Sequence, residues 1–366
     1  MLNRLQTASR ARRRGHGVRA VLSLAAVILL LSACSMEVQM KHDPMIASGT
    51  DTITFTAETE GGSYLVGQEI KMFVSGALVK TCTSSPCVYT GGPYTGDVND
   101  WLIYHAEAEG TFEVMGLTGK DVETDLGATA ITDSNRRWRD ALGVTFVPVR
   151  WGAHSTINTN VLYHRSTDYN DVDEESGYSD FLDDLHTKTH DILMEKEEIK
   201  FNMDDLNLYA YRWSASTAGG CPGVLDGLVY SELGSFVDDH GVMHVTNFQD
   251  CTGPSFSIFS FEGSTDTQAY LHETSHAVFR LGDEYDGHTY YFEAATEPNI
   301  FDLESTCRAE QVDKKRDPDD CYEFTTRQTG WWGTHGNPTV MTNGRSYHPW
   351  SEESVERLEY WFGKAK

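Results

Sequence analysis

In the stretch LHETSHAVFRLGDEY, residues 271 to 285, His272 and His276 stand four apart with Glu273 beside the first. On a helix the two imidazoles share one face, one turn apart, as two ligands of a single ion require. Facing an apolar interior without such a role, the three polar groups would lack partners, which is costly. A helix is expected here because Thr265 and Gln268 in STDTQ have capping-box spacing, which places its start near Asp266. Gly282 is expected to permit the left-handed turn that ends the helix, swinging Asp283 and Glu284 back toward the histidines. A carboxylate from that turn would complete three protein ligands with one position open, the ligand number of a catalytic zinc site. Glu273, beside the ion, suits general acid/base work on water.

HETSHAVFRLGDEY is similar to the H-E-x-x-H-x-x-x-x-L-x-D-E-Y signature of the IgA-peptidase family of metzincin-like zinc metallopeptidases, with Gly282 in the variable slot. The similarity extends to EPNI (297 to 300), LNLYAYRW, FSIFS and NPTVMTNGRSYHPWSEESVERL, and so covers roughly residues 140 to 366. It implies an α/β zinc metallopeptidase domain that hydrolyses protein or peptide substrates with Zn2+, Glu273 being catalytic. In the commonest metzincin arrangement, H-E-x-x-H-x-x-G-x-x-H, the glycine and third-ligand positions correspond here to Phe279 and Gly282, and glycine cannot ligate. The family resemblance therefore implies Asp283 as third ligand. Glu284 is held in reserve, and a thermolysin-like ligand some twenty residues on, Glu293 or Glu297, is the third choice. The C-terminal segment resembles the Met-turn that floors metzincin zinc sites, with Met341 its methionine. Tyr347 and His348 follow as candidate donors to a tetrahedral intermediate.

The start of the chain has a different logic. Six arginines and no acid precede the apolar run AVLSLAAVILLL, which ends in Leu31-Ser32-Ala33-Cys34. This order reads as a signal peptide, and the run is short of the ~20 residues a membrane-spanning helix needs. The last four residues look like a bacterial lipobox, so residues 1 to 33 are expected to be removed and Cys34 lipidated, anchoring the chain in a membrane. Ser35 resembles the outer-membrane sorting position of Gram-negative lipoproteins. Processing would move the formal charge from −26 to −32, since only bases are lost. So acidic a surface disfavours nucleic acid and favours solubility, basic partners or divalent cations.

Residues 34 to 47 lack periodicity and read as a tether. From Thr50 apolar residues alternate: Ile53, Phe55, Ala57; Ile70, Met72, Val74; Leu102, Tyr104, Ala106, Ala108. The pattern implies a small all-β sandwich over 48 to 118, and GALVKTCTSSPCVYTGGPY resembles bacterial immunoglobulin-like modules. Glycines and charges without an apolar stripe mark 119 to 128 as a linker. Strands are expected at 144 to 151, 206 to 213, 242 to 247 and 256 to 261, with a helix over 180 to 196, so 129 to 366 reads as the α/β metallopeptidase domain of a multidomain chain.

Cysteines 82 and 87, 221 and 251, and 307 and 321 are neighbours in sequence and are expected to pair outside the cytoplasm. The last pair closes a loop of about 15 residues, worth ~3 kcal/mol by chain entropy. His240 and His244 share a four-residue spacing, but VMHV alternates as a strand does, which makes them surface or core histidines rather than a second site. DYNDVDEESG, 168 to 177, has Val172 at a ligand position of a calcium loop and no glutamate at the twelfth, leaving at most a weak Ca2+ site. A rival reading is a surface binding or adhesion lipoprotein with a metal-stabilised, non-catalytic second domain. That reading accounts for the β module and the anchor, but not for the HExxH, its acidic turn and the Met-turn together.

Overall fold

The computed structural model describes residues 35–44, 47–94, 101–114, 117–132, 146–152, 159–170, 174–215, 237–245, 251–252, 258–263, 267–284, 298–324, 330–334, 339–342 and 348–363. The expected signal peptide and Cys34 lie outside these residues. The protein is β-rich, with several sheets and a smaller number of helices, and it divides into two compact units. Among the described residues no helix is long and apolar enough to cross a membrane.

The first unit comprises the described residues up to Lys41 together with Phe55–Tyr89 and Tyr104–Leu126. Strand Ile53–Gly61 lies between Met36–Asp43 and Cys87–Gly91 in one sheet. In another, Leu65–Val74 runs antiparallel to both Ala77–Cys82 and Trp101–Val114. Phe55 of the first sheet meets Tyr104 of the second with ring centroids 5.5 Å apart, and the alternating Phe55, Ala57, Ile70, Met72, Tyr104, Ala106 and Ala108 are fully buried. Two sheets facing one another through period-2 residues is the arrangement the alternation dictates.

Two expectations fail here. The supposed tether contains strand Met36–Asp43, in which Met36, Val38, Met40 and His42 face inward while Glu37 and Asp43 are exposed. Met36, Val38 and Met40 do alternate with polar Glu37, Gln39 and Lys41, a short period-2 signal that contradicts the tether, and Gln39 is buried as well. The supposed linker is part of strand Leu117–Thr132, and the boundary between units falls inside it, after Leu126. Val122 and Leu126 are both exposed there, which is why no apolar stripe announces the strand.

The second unit is built on a sheet in which Ile258–Glu262, Asp239–His244, Thr159–Ser166 and Leu206–Ala215 lie side by side and parallel. Cys251–Thr252 and Phe146–Gly152 flank them antiparallel. Central parallel strands are covered on both faces, so Asp239–His244 is buried throughout and Thr159–Ser166 nearly so. Gly241 is required there, since a Cβ would stand 2.8 Å from the Tyr163 ring and 2.9 Å from Phe259. Of the two alternatives, surface or core, His240 and His244 are core histidines, and His240 Nδ1 faces His164 Nε2 at 3.0 Å.

Helix α1, Glu174–His186, starts before the expected position and gives way to a π-helical turn, Thr187–Ile192. Helix α2, Thr267–Ala277, lies on the sheet. Its Tyr270 hydroxyl is 3.0 Å from that of Tyr163, and its ring meets Phe261 edge-on at 4.9 Å. Such aromatic contacts are worth ~0.5–1.5 kcal/mol each beyond area burial, and they fix which face of α2 is turned to the core. Helix α3 is Glu304–Asp313, and α4 is Glu352–Trp361. The α4 residue Arg357 donates from Nε to the Phe279 carbonyl, and Phe362, just past α4, packs against Phe279 with ring centroids 5.5 Å apart.

Disulfides join Cys82 to Cys87 and Cys307 to Cys321. Cys251 is disulfide-bonded too, while Cys221, its expected partner, lies outside the described residues.

Candidate metal centre

Helix α2 brings His272 and His276 onto one face, with their Nε2 atoms 3.1 Å apart. The chain then turns at Arg280, whose φ is 59°, and the Leu281 N–H reaches back to the Ser275 carbonyl. The left-handed residue is thus Arg280 and not Gly282. Gly282 has a different duty: a Cβ there would lie 2.5 Å from Ile300 Cδ1. Its N–H donates to Asn299 Oδ1 and its carbonyl accepts from Asn299 Nδ2, both at 2.8 Å. The Asn-Ile pair of EPNI therefore clamps the turn that carries Asp283.

Asp283 Oδ1 lies 3.3 Å from His272 Nε2 and 3.2 Å from His276 Nε2. The three donor atoms form a nearly equilateral triangle. Ligands 2.0–2.2 Å from a tetrahedral ion stand about 3.3 Å from one another, so the spacing fits a small divalent cation. Asp283 Oδ1 is buried and accepts no hydrogen bond of good geometry. Both ring orientations are fixed from behind: His272 Nδ1 donates to the Val340 carbonyl at 2.9 Å and His276 Nδ1 to the Leu281 carbonyl at 2.6 Å. Those bonds turn each Nε2 toward the triangle and select the tautomer in which it carries a lone pair.

The three groups favour one another's charged forms against the cost of burial. Burial pulls the His272 pKa down, but Asp283 at 3.3 Å, the charge of Glu273 and the Val340 carbonyl push it up to about 9. Burial likewise opposes ionisation of Asp283, yet the charge of His276 and contact with both imidazoles hold its carboxyl below the usual range. Glu273 is buried, at 5 % exposure.

Glu284 is not brought to the triangle. Its carboxylate accepts from Thr339 Oγ1 at 2.6 Å, Ser354 Oγ at 2.7 Å, Asn299 Nδ2 at 3.2 Å and Ser351 Oγ. Met341 is fully buried in the turn Thr339-Val340-Met341-Thr342, which closes through Thr342 N–H to the Thr339 carbonyl. That turn supplies the carbonyl that orients His272, so the methionine segment sits directly against the site. His348 lies just beyond, partly buried. Tyr347, Glu293 and Glu297 lie outside the described residues.

Sequence reasoning passed over Asn299, Thr339, Ser351 and Ser354. Ser351 had a visible signal as the N-cap of α4, accepting from Ser354 N–H at 3.0 Å. In the 168–177 loop, Asp168 accepts from the Val245 N–H at 2.9 Å, and among the described residues no metal-ligand cluster forms there. No family model, curated protein or solved structure matches the chain.

Proposed function

We propose that the second unit is a zinc-dependent endopeptidase domain of the metzincin-like, IgA-peptidase kind, held at the bacterial cell envelope through a lipidated Cys34 and sharing its chain with an immunoglobulin-like module. The observation that carries this reading is the triangle of His272 Nε2, His276 Nε2 and Asp283 Oδ1, with edges of 3.1 to 3.3 Å, buried against a methionine turn. Three protein ligands leave one coordination position for chemistry, where structural zinc sites use four. A bound Zn2+ would supply the Lewis acidity that makes water a nucleophile near neutral pH and polarises the scissile carbonyl.

The chain's own residues do the rest. The Val340 and Leu281 carbonyls hold the imidazoles in their ligating tautomers. Glu273, as general base, takes a proton from the attacking water and returns it to the amine nitrogen as the C–N bond breaks. His348 and Tyr347, just past the methionine turn, are the donors assigned to the developing oxyanion.

The test is zinc content and cleavage of a diverse peptide library by the full-length protein, wild type beside Glu273→Gln. Zinc retained equally by both proteins, with cleavage only by wild type, is the expected result. A variant that binds zinc and cleaves at the wild-type rate would sink the mechanism, and zinc in both proteins with cleavage by neither would favour the binding-protein reading.

A further inference from the structure

The second unit carries another group of metal-ligating side chains, at the C-terminal end of α1. His186 ends α1, and His190 and Asp191 follow in the π-helical turn Thr187–Ile192. One ligand atom from each of the three lies within 4.8 Å of the others. The π turn is what unites them. In an α-helix of 3.6 residues per turn, Asp191, five positions on from His186, would point ~140° away. With the i→i+5 bonding of a π-helix, at roughly 4.4 residues per turn, positions four and five on straddle the starting residue. His190 and Asp191 therefore both face His186. The two imidazoles stack at 4.7 Å with planes 15° apart, and His190 Nδ1 lies 2.7 Å from Asp191 Oδ1.

A fourth donor comes from a distant part of the sequence. Asp43, in the same compact unit, places Oδ1 3.8 Å from His186 Nε2, and Asp191 Oδ1 is 4.0 Å from that nitrogen on its own account. We propose that His186, His190 and Asp191, with Asp43 as fourth donor, form a second transition-metal site distinct from the His272–His276–Asp283 centre. Two imidazoles with carboxylates suit Zn2+ and its borderline neighbours, and are too poor in oxygen for Ca2+. The donors stand farther apart than the ~3.3 Å of a closed tetrahedron, so binding draws them together by side-chain rotation. The side chains remain partly exposed, 14 % for His190, 29 % for His186 and 55 % for Asp191, which gives the ion a path in. Four protein ligands are the number of a structural site, and the ion would tie Asp43 to the end of α1.

Equilibrium dialysis of the metal-stripped full-length protein against Zn2+, read by elemental analysis, tests this. Wild type should take up two equivalents. His190→Gln and the conservative Asp191→Asn should each weaken one of them by roughly tenfold or more, the loss expected at least of an outer-shell partner. Peptide cleavage should stay unchanged, because neither residue touches the other centre. If both variants bind Zn2+ with wild-type stoichiometry and affinity, the site does not exist. His276→Gln separates the two centres: it should abolish the other equivalent and leave this one. A wild type that binds one equivalent, lost in His190→Gln and kept in His276→Gln, would support this site and overturn the HExxH reading.

Discussion

The backbone N–H of Glu284 donates to the carbonyl of Met341 at 3.0 Å, joining the turn that carries Asp283 to the turn that orients His272. Two members of the candidate triad are thereby set by a single contact between segments 57 positions apart in sequence. The Glu284 side chain reinforces the junction by gathering hydroxyls from Thr339, Ser351 and Ser354.

Replacing Glu284 should therefore act on stability before chemistry. Glu284→Ala would leave three buried hydroxyls and the Asn299 amide short of an acceptor, and loss of one partner from such a buried network costs about 3–5 kcal/mol. Glu284→Gln keeps one acceptor oxygen and should cost less, since hydroxyls can reorient. Urea denaturation of the metal-loaded protein reads both. A loss below about 1 kcal/mol for the alanine variant would refute the role.

Met341 contributes to the junction through its backbone, while its side chain fills buried space. Met341→Leu conserves volume, the carbonyl contact to Glu284 and the Met341 N–H bond to Thr339 Oγ1, so it should cost less than about 1.5 kcal/mol and retain metal. Thermal melts with zinc analysis decide this, and loss of metal at unchanged stability would assign the sulfur a role of its own.

The site's core was legible because helical periodicity alone places His272 beside His276, and a turn after α2 had to bring an acid back. The reason for the turn was not legible. Arg280, an ordinary residue by composition, takes the left-handed conformation with its guanidinium on the buried Asp239 at 3.3 Å, while Gly282 is needed for its lack of a Cβ beside Ile300. The central strand Thr159–Ser166 escaped detection for a related reason. Buried on both faces, it shows no alternation of apolar and polar residues, and its His164 and Arg165 are buried polar groups that a local pattern reads as surface. Pairing across the sequence, which single-segment patterns do not encode, likewise decided the strand at 117–132, whereas that at 36–43 is visible in the alternation of Met36, Val38 and Met40 with polar residues.

Metal uptake should release a proton. Below a pKa of about 9, metal-free His272 is protonated, and an ion ligated by Nε2 must displace that proton. Near pH 7.5, calorimetric titration with Zn2+ in buffers of different ionisation enthalpy should show about one proton released per ion from this site, declining toward zero above pH 9. The same shift gives the metal-free protein a stability term with a definite sign. The folded pKa exceeds the ordinary 6.5, so the stabilisation is complete below pH 6.5 and is lost as pH rises through about 9. A metal-free melting temperature that rises across that interval would contradict the arrangement.

Gly282→Ala tests the clamp on Asp283 from the other side. The new Cβ would stand 2.5 Å from Ile300 Cδ1 and 2.9 Å from Cγ1, and Ile300 is fully buried, so something must shift. Overpacking of this kind costs about 1–3 kcal/mol. Because the Gly282 amide and carbonyl are both held by Asn299, the strain falls on the neighbouring Asp283, and zinc affinity should drop together with stability. Ile300→Val removes Cδ1, the nearest clashing atom. In a double-mutant cycle it should restore part of both losses, with a coupling of about 0.5 kcal/mol or more. Additive effects, or recovery of stability without recovery of zinc binding, would show that Gly282 does not set the position of the third ligand.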